Sequence, residues 1–206
     1  MDEHLARLFT SNAAWADAVS AADPGFFAAS AAGQAPKLLW IGCADSRVPE
    51  SVLAAAKPGD IFTHRNIANQ VHADDDSVNA VLAYAVGHVG VLHVLVVGHS
   101  NCGGAAACYA ASLAPRPPPS DSLSRWLLPL TELAASLGLD AAPSAEEALA
   151  TLVEENVKAQ VANAAASDAL TKAWAAGKNV WVHGLVYDLA TGRLRDLGVS
   201  RGPGKQ

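Results

Sequence analysis

The stretch VLHVLVVGHSNCGG at residues 91–104 joins a continuous apolar run to a polar, glycine-rich segment. Residues 91–99 are dominated by valine and leucine, which is typical of a strand buried on both faces, as strands of parallel sheets are. His99 and Cys102 follow the end of this predicted strand. Open α/β sheets place their sites just beyond the carboxyl ends of the strands, so functional side chains are expected here.

A second apolar run, KLLWIGC at residues 37–43, also leads into a polar segment, ADSR. Further strands are predicted at residues 60–64 and 179–189. Helices are predicted at residues 2–21, just after residue 49, at 74–90 and from 103 onward, and more follow the proline-rich PRPPP (115–119). One of these later helices presents a single face made of Leu149, Leu152, Val153, Asn156, Val157, Gln160 and Val161. Strands that alternate with helices predict an α/β fold with a mostly parallel central sheet flanked by helices.

Composition excludes several classes of protein. The 206 residues carry a formal net charge of −6 and contain no basic run, which argues against nucleic acid and against an anionic membrane as partners. The N-terminal segment MDEHLARLFT has no apolar core of a secretory signal. A cytoplasmic location is therefore expected, and an organelle form that has lost a transit peptide stays open.

Three cysteines in a reducing compartment serve metals or catalysis more often than disulfides. Cys43 ends the first strand, and His99 and Cys102 follow another, so two thiolates and one imidazole are expected to meet at one sheet edge. Such a set suits zinc with a fourth position open. A buried cysteine can also be an ordinary apolar residue, and Cys108, inside a helix among alanines, is interpreted as core and not as a fourth ligand.

These motifs resemble those of the β-class carbonic anhydrases. CADSR (43–47) and HSNCGG (99–104) carry the resemblance, and it extends to PGDIFTHRNIANQV (58–71) and HGLVYD (183–188). The resemblance implies one domain over residues 1–206, with residues 1–35 as an N-terminal helical arm. It also implies one Zn²⁺ per chain, reversible hydration of CO2 to bicarbonate by zinc-bound hydroxide, and a homodimer or homotetramer.

The resemblance also implies roles for residues around the metal. Arg47 holds Asp45, which accepts a hydrogen bond from the zinc-bound hydroxide, and in a closed state Asp45 itself becomes a zinc ligand. The substrate pocket is expected to be formed by Gln34, which serves the neighbouring subunit, and by Phe62, Ile67, Tyr84 and the amide of Gly103. Without a metal, Asp45 and Arg47 would be a solvated ion pair of little energetic consequence.

One subgroup of that family has a second, non-catalytic bicarbonate site, and three residues here match its pattern. They are Trp40, Arg65 and Tyr187. A guanidinium binds a small oxyanion well, and the indole N–H and phenol O–H add donors. The alternative is that Trp40 and Tyr187 are core aromatic residues and that Arg65 is an interface charge.

Two other functions fit the same residues. The first keeps the fold and zinc but changes the substrate to CS2 or COS, since access to the pocket decides between these molecules. The second is a catalytically silent, zinc-stabilised binding protein, against which the intact Asp45–Arg47 pair argues.

Overall fold

The computed structural model describes residues 1–115 and 118–204. Residues 116 and 117, in the middle of the proline-rich PRPPP, therefore lie outside the described residues. The chain divides into two compact units, Met1–Ala35 and Pro36–Gln206. The single-domain organisation over residues 1–206 stays a prediction.

The first unit consists of two helices, α1 (Glu3–Ala22) and α2 (Phe26–Ala32). Asp2 caps α1, because its carboxylate accepts a hydrogen bond of 2.9 Å from the amide of His4. Phe27 lies edge-on to Trp15, with ring centroids 5.7 Å apart. The sequence predicted α1 within one residue at each end but missed α2, whose alanine-rich segment FFAASAA is too short to show a helical period.

The second unit is built on one sheet, which has five strands in the described part of the chain. They are β1 (Leu38–Cys43), β2 (Ile61–Asn66), β3 (His93–His99), β4 (Trp181–Asp188) and β5 (Arg193–Asp196), in the spatial order β2-β1-β3-β4-β5. All neighbouring pairs are parallel except β4 with β5. The predicted mostly parallel sheet is therefore confirmed, and β5, which was not predicted as a strand, adds an antiparallel edge.

The helices of the second unit connect and cover these strands. They are α3 (Glu50–Leu53), α4 (Asp76–Tyr84), α5 (Gly103–Ser112), α6 (Ser122–Trp126), α7 (Leu128–Ser136), α8 (Ala145–Ala166) and α9 (Asp168–Ala175). Among the described residues, none of the helices combines the length and the apolar character that a membrane span requires.

Two predicted boundaries were wrong. The helix expected at 74–90 ends at Tyr84, and a π-helical turn, Ala85–Val89, follows it up to Gly90, which has a φ of 80°. The strand expected from residue 91 begins at His93. The amides of Leu92 and His93 both donate to the carbonyl of Lys37, so this segment enters the sheet later than its apolar composition suggests.

Helix α8 packs on the sheet at two glycines. A Cβ on Gly98 of β3 would lie 2.7 Å from Cγ2 of Val157, and a Cβ on Gly184 of β4 would lie 3.0 Å from Cγ1 of the same valine. The absence of these side chains lets α8 approach the sheet closely. The contact holds in place the strand that ends in His99.

Candidate metal centre

Two loops at the carboxyl ends of β1 and β3 bring three metal-binding side chains together. Cys43 is the last residue of β1, His99 is the last residue of β3, and Cys102 is the N-cap of α5. One ligand atom from each of the three lies within 4.8 Å of the others, and all three residues are buried. Parallel strands place their ends at the same edge, so residues far apart in sequence meet there.

The imidazole of His99 is oriented by its own main chain. Its Nδ1 lies 2.9 Å from the carbonyl oxygen of Ser100, to which it donates. The other nitrogen, Nε2, is buried and has no hydrogen-bond partner among the described residues. A metal-binding histidine characteristically donates its second N–H in this way, which fixes the tautomer and leaves one lone pair for the ion.

Ser100 is itself held by the neighbouring strand. Its amide donates to the carbonyl of Tyr187 at 2.9 Å, and its hydroxyl accepts from the amide of Leu189 at 2.8 Å. The carbonyl that orients His99 is therefore fixed by β4. Asn101, the next residue, has a φ of 53°, a left-handed conformation that asparagine tolerates and that turns the chain toward Cys102.

The two thiols are close enough to share one proton. The hydrogen bond from Cys102 lowers the pKa of Cys43 to about 4, and the same contact raises the pKa of Cys102. The main-chain amides of Asp45 and Ala68 also lower the pKa of Cys43, and those of Gly104 and Ala105 partly offset the rise in the pKa of Cys102. Such donors stabilise thiolate, the form that binds metals.

The residues fit zinc. Two sulfurs and one nitrogen are the donor types that tetrahedral zinc sites use, and the unpartnered Nε2 of His99 is aimed at the sulfurs. Three protein ligands leave a fourth position. Asp45 lies beside these ligands, with Oδ2 3.9 Å from Nε2 of His99.

The carboxylate of Asp45 is bound by Arg47. Nε of Arg47 donates to Oδ1 at 3.0 Å, Nη2 donates to Oδ2 at 2.7 Å, and the Arg47 amide donates to Oδ1 at 2.9 Å. These bonds hold the pKa of the Asp45 carboxyl well below its usual range. Arg47 also reaches the carbonyl of Asn101 at 3.3 Å, so it joins the two ligand loops. This is the arrangement in which Asp45 is not a metal ligand.

The guanidinium of Arg65 binds the main chain of the loop that begins at Cys43. Its Nε donates to the carbonyl of Cys43 at 2.9 Å and its Nη2 donates to that of Asp45 at 2.5 Å. Nη1 lies 3.9 Å from the carboxylate of Glu50. Two of the three guanidinium nitrogens are therefore occupied, and the sequence motif HRN gave no sign of this role.

Trp40, Arg65 and Tyr187 share one face of the sheet. The strand register aligns Gly42 with Arg65 and with Val97, and His99 with Tyr187, and residues in register on parallel strands face the same side. Trp40 and Tyr187 are both buried. Nε1 of Trp40 lies over Gly42, 2.4 Å from where a Cβ would be, and Gly42 is the residue of β1 in register with Arg65.

Four of the predicted pocket residues lie in the second unit. Phe62 and Tyr84 stack with ring centroids 5.9 Å apart, and Tyr84 is 51% exposed. Ile67 follows β2 and is 41% exposed, and Gly103 begins α5 next to Cys102. Gln34 belongs to the first unit and is exposed.

Cys108 lies apart from the metal-binding group. It is 1% exposed, its sulfur faces the carbonyl of Leu127 at 3.7 Å, and burial raises the pKa of its thiol. Its environment is that of a small core residue.

The chain has a consistent set of relatives. The sequence model of the family described as carbonic anhydrase matches residues 38–194. A carbonic anhydrase of Emericella nidulans is 38% identical over 195 residues, which are 94% of this chain and 83% of that protein.

Solved structures agree with this match. A tetrameric β-carbonic anhydrase of Sordaria macrospora superposes with a TM-score of 0.88 at 37% identity, covering 97% of this chain and 100% of that one. The Coccomyxa β-carbonic anhydrase, solved in complex with acetazolamide, superposes with a TM-score of 0.87 at 36% identity, covering 95% and 87%. The family model, the similar sequences and structures, and the Cys–His–Cys group all agree. The chain therefore belongs to the β-class carbonic anhydrases, which are lyases.

Proposed function

We propose that this protein catalyses the reversible hydration of CO2 to bicarbonate and a proton, with one Zn²⁺ held by Cys43, His99 and Cys102. The observation that carries the proposal is the meeting of these three buried side chains beside an Asp45–Arg47 pair in a chain of this family. A zinc ion at this site supplies Lewis acidity, which brings the deprotonation of water close to neutral pH.

The residues around the site have separate roles in the proposed reaction. Asp45 is kept ionised by Arg47, so it can only accept hydrogen bonds, and it would orient the group that attacks CO2. Phe62, Ile67 and Tyr84 give CO2 an apolar wall. The amide of Gly103, the first residue of α5, would donate to the negative oxygen of the product.

We infer further that the active form is an oligomer, a dimer or a tetramer, as the Sordaria macrospora protein is a tetramer. In this assembly Gln34 of one subunit donates to substrate in the site of its neighbour. A cytoplasmic location remains part of the proposal.

The deciding experiment is a stopped-flow assay of CO2 hydration with a colour indicator, on protein whose zinc content has been measured. Zinc-loaded protein is expected to hydrate CO2 and to be inhibited by acetazolamide, which the Coccomyxa protein binds. Zinc-loaded protein without CO2 hydration would refute the proposal. Hydrolysis of CS2 or COS by such protein would then favour the related reaction, and inertness toward all three substrates would favour a silent binding protein.

The second bicarbonate site is a separate proposal. Trp40, Arg65 and Tyr187 share a face, and among the described residues the ion pair of Nη1 of Arg65 is with Glu50, at 3.9 Å. Bicarbonate bound there would favour the state in which Asp45 leaves Arg47 for the metal, by the difference in its affinity for the two states. Activity is then expected to fall as bicarbonate is raised, and Tyr187→Phe to lessen that fall. Indifference of the wild-type enzyme to bicarbonate would contradict this.

A further inference from the structure

The turn at residues 66–71 lies against both ligand loops. The carbonyl of Asn66 accepts a hydrogen bond of 2.8 Å from the amide of Ala44, next to Cys43. On the other side, a Cβ on Gly104 would lie 3.1 Å from Cβ of Ala68 and 3.1 Å from Cγ2 of Ile67. The turn therefore fits between the loop of Cys43 and the start of the helix that follows Cys102.

The backbone of this turn is unusual. Ala68 has φ 62° and ψ 30°, and Asn69 has φ 49°, so two consecutive residues with side chains adopt the left-handed conformation. Both are almost completely buried. L-residues disfavour this conformation, and it persists only where surrounding contacts fix it. The contacts that fix this turn come from buried amide side chains.

Amide side chains hold the carbonyl of Ala68. Nδ2 of Asn156 in α8 donates to it at 3.0 Å, and Nε2 of Gln70 donates to it at 2.7 Å. Gln70 also donates to Oδ1 of Asn156 at 2.8 Å, so the two donors hold each other. Asn156 is 2% exposed and Gln70 is 0% exposed.

A third amide, Gln160, lies one turn further along α8 and contacts a different part of the same loop. Its Oε1 accepts from the amide of Val71 at 2.8 Å, and its Nε2 donates to Oδ1 of Asn156 at 3.1 Å. Gln160 is 4% exposed. It belongs to the network and is buried, but it makes no bond to Ala68.

We propose that Asn156 is a positioning residue for the metal centre: it fixes the Ala68 peptide of the turn that fits between the loop of Cys43 and the start of the helix after Cys102. The proposal rests on zinc binding by Cys43, His99 and Cys102. Without Asn156, the left-handed turn relaxes, its contacts with Ala44 and Gly104 loosen, and the two loops hold Cys43 and Cys102 less firmly around the metal. Partners in the outer shell of a metal site typically change its affinity by about 10–100-fold.

The test compares Asn156→Leu with Gln160→Leu in the full-length, zinc-loaded protein. Both changes remove a buried amide from the same helix and network, but only Asn156→Leu removes a bond to Ala68. The readouts are the rate of zinc release to a chelator, the visible absorption spectrum of the cobalt-substituted protein, and the melting temperature. Asn156→Leu is expected to release zinc at least about tenfold faster and to shift the cobalt spectrum. Gln160→Leu is expected to lower the melting temperature but to leave both metal readouts near wild type.

Zinc release and a cobalt spectrum like wild type in Asn156→Leu would overturn the proposal, as would an equal change in Gln160→Leu. If Asn156→Leu does not fold, Gln70→Leu removes the other donor to Ala68, and wild-type metal readouts there overturn it equally. CO2 hydration is measured separately on the wild type. Zinc-loaded wild type that is inactive refutes the proposed reaction but not this role of Asn156, whereas wild type without zinc refutes both.

Discussion

At the scale of single residues, Cys102 and Cys108 are both buried thiols of the same helical region but have different surroundings. Cys102 caps α5 beside Cys43 and His99, whereas Cys108 faces Leu127 inside the helix. Burial alone does not distinguish them, and only the neighbours of each sulfur do. The ligand assignment can therefore be tested with one cysteine as the control for the other.

We predict that Cys102→Ala purifies with little zinc, because the two remaining ligands, Cys43 and His99, bind the ion weakly. Cys108→Ala should retain one zinc per chain and lose only stability, by about 1 kcal/mol for a small core truncation. Metal analysis after dialysis measures both. Full zinc occupancy in Cys102→Ala would remove this residue from the ligand set.

Asp45 and Arg47 can be tested without removing the metal. Asp45→Asn and Arg47→Ala are expected to keep zinc but to reduce kcat by about 10²–10³, the usual cost of one lost contact that orients the reacting group. Arg47→Lys should not restore the rate, because an ammonium cannot replace the two parallel bonds to Asp45. Near-normal turnover of Arg47→Ala at full zinc occupancy would show that the pair has no catalytic role.

At the scale of elements, the contact of α8 with the sheet determines where the end of β3 lies. Gly98→Ala is expected to destabilise the protein by about 1–3 kcal/mol, because the new Cβ would be 2.7 Å from Val157. Chemical denaturation measures this loss. Gly87→Ala is the control, since its Cβ would meet no atom within 4 Å.

A compensating change makes this prediction more specific. Val157→Ala removes the methyl group that a Cβ on Gly98 would meet, so the double variant should be more stable than the sum of the two single changes. Simple additivity would mean that the cost of Gly98→Ala comes from elsewhere.

At the scale of the whole molecule, three partly buried histidines make folding dependent on pH. Burial lowers the pKa of His64, His72 and His183. The unfolded chain therefore binds protons that the folded chain does not once the pH falls below about 6.5, the usual pKa of histidine. The contribution of these groups is complete above that pH and is lost as the pH falls through their folded pKa values.

We predict that the free energy of unfolding decreases between about pH 7.5 and pH 5.5, and that His72→Gln makes this decrease smaller. His72 is suitable because its Nε2 is buried without a hydrogen-bond partner among the described residues. His4→Gln, at an exposed position in α1, is the control. Denaturant titrations at several pH values give the slope, and an unchanged slope in His72→Gln would contradict the prediction.

Assembly is also a property of the whole molecule. Helix α1 buries none of its residues within the described chain, and Leu8 and Phe9 are more than half exposed. Apolar surface of this kind is typical of a contact with another chain, and we predict that α1 makes such a contact. Phe9→Asp should therefore shift sedimentation toward smaller species, whereas Asn12→Asp, which adds the same charge on the same helix, should not. An unchanged oligomer in Phe9→Asp would exclude this helix as an essential contact.

The sequence by itself determined the fold class and the family. Apolar runs such as residues 91–99 can bury both faces only in a covered parallel sheet, and CADSR and HSNCGG are specific enough to identify the β-class carbonic anhydrases. It also indicated which side chains would meet, because the ends of parallel strands share an edge. These inferences depend on local pattern and spacing, which a sequence displays directly.

The tertiary structure alone decided how the site is held. Asn156 and Gln160 stood on the predicted helix face without an assigned role. The left-handed turn at Ala68 has no local signal, because alanine generally disfavours that conformation. Arg65 and Ser100 are likewise bonded to main-chain groups distant in sequence. Hydrogen bonds between segments that are distant in sequence depend on how closely these segments pack in space. The pattern of residues within a single segment does not show this.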